Sequence, residues 1–115
     1  MKKNILIGLM VAMTPLVTFA DTQLSSATNI KRIFTYKTAA VIELKAPMTK
    51  NSGCTYSKSG RYIALRFSES GSKELYSALL SAKVANQKVT IGTRDCDNIW
   101  SGDGTMNKIY RVTLQ

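Results

Sequence analysis

The chain has 115 residues, with 16 basic against 7 acidic side chains, two cysteines and no histidine. The lack of histidine excludes the usual Ser-His and Cys-His catalytic pairs. With no Cys-x-x-Cys pair either, it argues against a zinc site. The length supports one domain, and the net charge of +9 favours anionic partners.

Taken in chain order, residues 1–20 read as an export signal. Lys2 and Lys3 supply a positive start, and an apolar stretch over 5–17 is broken by Thr14 and Pro15. Thr18-Phe19-Ala20 then puts small residues at the two positions that a signal peptidase reads, with Asp21 as the new N-terminus. The stretch is shorter than the ~20 residues a bilayer span needs, so no transmembrane segment is expected in the mature protein. The expected compartment is the periplasm or the extracellular space. Cleavage leaves 95 residues, 21–115, and loss of Lys2 and Lys3 leaves 14 basic against 7 acidic residues, a net +7. Export makes nucleic acid the least fitting of the anionic partners, and none is expected.

Residues 21–29 are small and polar and read as a flexible N-terminal arm, so 30–115 is the expected single domain. Residues 30–36 alternate and carry β-branched and aromatic side chains, a strand pattern. Residues 38–45 read as a second strand with Ala40, Ile42 and Leu44 on one face. Lys37-Thr38 is a poor turn signal, so one long bent strand is the alternative. Residues 46–60 hold Pro47, Asn51, Gly53 and Gly60 and form a loop containing Cys54. In 61–67, Ile63, Leu65 and Phe67 share one face of a strand, and Tyr62, Ala64 and Arg66 the other.

The period then changes. Ser70 or Ser72 would cap a helix, and Glu74 suits its positive end. Leu75, Ala78, Leu79, Ala82 and Val84 form the expected buried stripe, and Asn86 a left-handed stop. Residues 88–92 read as a strand burying Val89 and Ile91. Residues 93–107 read as a second long loop with Cys96, Trp100 and two glycines, and 108–114 as the last strand.

The order β-β-β-α-β-β predicts a mainly β domain with one helix, matching the five-stranded Greek-key barrel called the OB-fold. In that barrel strands three and five are parallel neighbours, which places Cys54 and Cys96 toward one end. Two cysteines in a small exported chain predict one disulfide between them. A helix on an open antiparallel sheet fits the same elements as an alternative fold.

The run Leu75-Tyr76-Ser77-Ala78-Leu79-Leu80-Ser81-Ala82-Lys83, then Asn86-Gln87-Lys88-Val89-Thr90-Ile91, then Cys96, resembles the binding (B) subunits of subtilase-type and typhoid-type toxins. In those a similar helix ends at a Gly-Gln or Gly-Lys turn, followed by a Val-x-Ile strand and a cysteine. Asn86 stands here where Gly is usual. The likeness covers roughly 61–96. It implies an OB-fold, a disulfide, a homo-oligomer that would be a pentamer, and recognition of host glycans. The glycan-binding serine of those toxins matches no residue here, and free-standing relatives without a toxin partner occur in such groups.

For chemistry, the expectation is no enzyme: no catalytic residues, no metal and no cofactor. Glu69 and Glu74 flank the helix start and read as capping or solvated charge. Asp95, Asp97 and Asp103 lack the closing glutamate of a calcium loop. Ser70-Gly71-Ser72-Lys73 fits a helix cap better than a nucleophile and base. Binding is the better expectation. Trp100, the single tryptophan, lies in a polar loop beside Asn98 and Asp103. An aromatic platform with amides and carboxylates suits a sugar ring; packing over the barrel end or the disulfide is the other reading of Trp100. A Cys54–Cys96 bridge would bring Tyr56, Ser57 and Ser59 near it, and Lys58 and Arg94 would add positive charge favouring an acidic sugar. The expected function is a non-enzymatic, exported binding protein for a glycan. The alternative is a periplasmic inhibitor or accessory protein that docks on an acidic protein partner.

Overall fold

The computed structural model describes residues 22–49 and 53–115. The predicted signal peptide and Asp21 lie outside the described residues. Six strands and one helix follow in order: β1 (Gln23–Leu24), β2 (Ile30–Thr35), β3 (Ala39–Leu44), β4 (Tyr62–Arg66), α1 (Ser72–Ala85), β5 (Val89–Asp97) and β6 (Met106–Leu114). They form one mixed sheet in the order β1-β5-β6-β4-β3-β2. All neighbours are antiparallel except β4 and β6, which are parallel.

The mainly β architecture with one helix is as expected, and so is the parallel β4–β6 pair. The closed five-stranded barrel is not. The sheet is open and has six strands, because the edge of β5 is occupied by a segment that composition alone marks as a loose arm. Gln23 and Leu24 pair with Thr93 and Gly92, and Thr28 bridges Val89. The hydroxyl of Ser25 accepts the Ile91 N–H at 2.8 Å and Ser25 is buried. Polar residues therefore satisfy an edge that would otherwise expose unpaired backbone groups. The arm is short of apolar side chains because its role is in backbone pairing.

Two hydrophobic clusters lie on opposite faces of the sheet. On the helix side Ala40, Ile42, Leu44, Ile63, Leu65, Val89 and Ile91 pack with Leu79 and Ala82 of α1. On the other side Val41, Ala64 and Met106 are buried under Phe34, Tyr56, Tyr62, Ile99 and Trp100. All six residues of β3 are buried as a result, the pattern of a strand covered on both faces.

The helix differs from its sequence reading at both edges of its stripe. Val84 is 86% exposed. It lies two residues past Ala82, about 200° around the helix, and so faces away from the sheet. The N-cap is Gly71, in the left-handed region at φ 82°, with no side-chain cap. Ser72 instead donates its hydroxyl to the Arg66 carbonyl at 2.7 Å, tying α1 to the end of β4. Asn86 does end the helix in the left-handed region, at φ 53°.

Residues 30–44 form a hairpin, its turn closed by the Tyr36 N–H on the Ala39 carbonyl at 2.7 Å. The second loop is shorter than composition suggests. β5 continues to Asp97 through register shifts on either side of Thr93, with Asp95 at φ 66°. These irregularities break the two-residue period and hide the strand. Among the described residues no helix is long and apolar enough to cross a membrane.

Candidate functional site

Cys54 and Cys96 form a disulfide with Cα atoms 5.6 Å apart, as the sequence predicts. Cys54 stands in the loop before β4, whereas Cys96 lies within β5 rather than in a loop. The bridge is one of several ties between the 53–61 segment and the β5–β6 connection. The Tyr56 N–H donates to the Thr105 carbonyl at 2.7 Å, and Thr55 and Thr105 exchange backbone-to-hydroxyl bonds at 2.8 and 2.9 Å. Buried Asn107 donates to the Ser59 carbonyl at 3.1 Å. Gly104 sits at φ 101°, and a Cβ there would lie 2.7 Å from the Thr55 hydroxyl. Only glycine lets the two segments approach this closely.

These ties hold Trp100 and Tyr56 over the sheet face opposite the helix. Strand register arranges that face in rows. Arg32, Glu43 and Tyr62 form one row, and Phe34, Val41 and Ala64 the next. The Trp100 ring contacts three others: Tyr62 at 5.3 Å, Phe34 at 5.4 Å and Tyr56 at 6.1 Å between centroids. Its indole N–H donates to the Tyr36 phenol at 2.7 Å. Tyr36 is 45% exposed, and Trp100 is partly buried. Trp100 is therefore a packing residue of this face as well as part of its surface.

Fixed charges border the rings. Glu43, buried, accepts from Arg32 Nε at 2.7 Å and from the Tyr62 hydroxyl at 3.3 Å, with Lys31 at 3.8 Å. Burial opposes ionisation of Glu43, but the Arg32 hydrogen bond, the charges of Arg32 and Lys31, and the Tyr62 hydroxyl outweigh it and hold its carboxyl below the usual range. Arg66 grips Asp97 in a bidentate pair at 2.8 and 3.1 Å. That hydrogen bonding, aided by the Asn98 N–H, keeps Asp97 below its ordinary value against the cost of burial. The Tyr56 phenol is pushed up by burial, with Tyr62 and Asp103 adding to the effect.

Of the residues singled out from sequence, Trp100 and Tyr56 meet in this cluster. Asn98 lies at its edge, exposed, its carbonyl 3.4 Å from Arg66 Nη2. Asp103 closes a turn onto Trp100, donating its N–H to the Trp100 carbonyl at 3.0 Å. Ser57 and Lys58 are exposed on the turn after Tyr56. Arg94 belongs to another neighbourhood: its guanidinium lies 3.8 Å above the Tyr110 ring and its Nε donates to Thr22. Sequence reasoning missed Phe34, Tyr36 and Arg32. The available signal was their alternation at 32, 34 and 36, along β2 and the residue after it, but the face they share with Tyr62 is set by hairpin register. No family model, curated protein or solved structure matches the chain.

Proposed function

We propose that this is an exported, non-enzymatic binding protein, and that the face bearing Trp100 binds a glycan. The observation that carries the reading is the gathering of Phe34, Tyr36, Tyr56, Tyr62 and Trp100 on one sheet face, outside the main core. Aromatic rings offer apolar faces to the C–H side of a sugar, while phenol hydroxyls and the bordering Arg32, Arg66 and Asp97 offer hydrogen-bonding groups, with buried Glu43 holding Arg32 in place. The ion pairs and loop ties fix these groups before a ligand arrives, which lowers the entropic cost of binding. The Cys54–Cys96 disulfide suits an oxidising compartment. Toxin-B-subunit-like assembly into a pentamer is the form such binding takes in the group that the helix-to-Cys96 run resembles.

A glycan array carrying neutral and acidic oligosaccharides tests the proposal. Binding to a defined subset, weakened in Tyr36→Ala and Tyr62→Ala proteins that remain folded at the assay temperature, is the expected result. An array with no signal above background from folded protein rejects it.

A second reading, docking on a partner protein, draws on Val84 and Leu80, which are 86% and 39% exposed one helical turn apart. Light scattering on the purified protein separates a self-assembling form from a monomer free to dock.

A further inference from the structure

The β2–β3 hairpin tip, the end of β4 and the first turns of α1 enclose a second concavity on the opposite side of the hairpin from Trp100. It is a cleft of about 680 Å³ lined by Lys37, Thr38, Phe67, Ser68, Lys73 and Tyr76. That volume lies within the range of small-molecule pockets. The Phe67 and Tyr76 rings meet edge to face, with centroids 5.1 Å apart. The Tyr76 phenol is engaged with the Thr35 hydroxyl at 2.7 Å, and the Phe67 N–H donates to the Thr38 carbonyl at 3.0 Å. The aromatic floor is thus held in place from both sides.

The charge on the walls is of one sign. Ion pairs among the described residues engage Lys31, Arg32, Arg66 and Lys108, while Lys37 and Lys73 have no carboxylate partner there. Two acids adjoin the rim in sequence: Glu69, beside Ser68, is bound to Lys108 at 2.8 Å, and Glu74, beside Lys73 in the first turn of α1, is exposed and forms no ion pair among the described residues. Two ammonium groups without ion-pair partners beside two ring faces are complementary to one chemistry, an acidic head on an apolar body.

We propose that this cleft binds an amphipathic anion, a small organic acid whose apolar body lies on Phe67 and Tyr76 and whose carboxylate or phosphate head lies between Lys37 and Lys73. It is independent of the glycan face and of whether that face binds sugar. The site discriminates by demanding both parts. An uncharged amphiphile leaves the lysines unpaired, and a bare anion gains little from solvated ammonium groups alone.

The test is calorimetric titration of the purified protein with decanoate and decyl phosphate below their micelle concentrations, decanol below its solubility limit, and inorganic phosphate. Amide NMR shifts map the site. At least one of the two amphipathic acids is expected to bind, and the tighter identifies a carboxylate or phosphate head. Decanol and inorganic phosphate are expected to bind roughly tenfold or more weakly. The shifts should centre on Phe67, Ser68 and Lys73, and added salt should weaken binding. A Lys37→Gln/Lys73→Gln protein, altered only at exposed positions, should lose roughly tenfold in affinity at an unchanged thermal midpoint. Equal affinity in that variant, equally tight decanol, shifts centred elsewhere, or failure of both acids to bind overturns the assignment.

Discussion

At the scale of single residues, two carboxylates and one amide hold the outer face in place. Glu43 and Asp97 are both held below their ordinary values in the folded protein. The sign of the pH effect follows. Each binds a proton less readily when folded than when unfolded, so each stabilises the fold above its unfolded value of about 4, and that contribution is lost as pH falls through the folded value. Urea midpoints measured between pH 6 and 2 should fall steeply below about pH 4. Glu43→Gln should flatten the fall and lower the midpoint at neutral pH. Asn107 has a different role. Fully buried, it satisfies the Ser59 carbonyl, so Asn107→Ala should destabilise by about 1–3 kcal/mol in denaturant titrations.

At the scale of elements, the strands with a clean two-residue period were legible and the irregular ones were not. Ile63, Leu65 and Phe67 do face the helix, and Tyr62 and Ala64 the other side. β5 was half hidden because register shifts and the left-handed Asp95 interrupt its alternation. β1 carried no signal, since two residues paired through backbone leave no pattern in side chains. The helix stripe was legible through Ala82 and failed at Val84, where a residue five past Leu79 leaves the buried arc. This difference is measurable. Leu79→Ala should destabilise by about 2–5 kcal/mol, and Val84→Ser by no more than roughly 0.5 kcal/mol, both read from thermal or urea unfolding.

At the scale of the molecule, what joins the parts is long-range. The disulfide spans 42 residues and ties the Tyr56 segment to the strand that leads into the Trp100 loop. The cysteine count alone suggested that much, and with it the proximity of Tyr56 and Trp100. The contributions of Phe34 and Tyr36 depend on hairpin register, and the open sheet depends on which segment reaches the edge of β5; neither is written in local pattern. Closing a loop of this length restricts the unfolded chain and is worth about 4 kcal/mol. A Cys54→Ala/Cys96→Ala protein should lose about that much and show weakened near-ultraviolet dichroism from the ring cluster.

The outer face carries the only tryptophan in the chain, so its emission reports directly on occupancy there. Titrating the oxidised protein with an oligosaccharide selected on the array should give a saturable change in Trp100 emission, with a midpoint equal to the calorimetric affinity. Calorimetric binding of that oligosaccharide with no change in Trp100 emission, and with Tyr36→Ala and Tyr62→Ala proteins binding as tightly, would place the sugar elsewhere and contradict the assignment of this face.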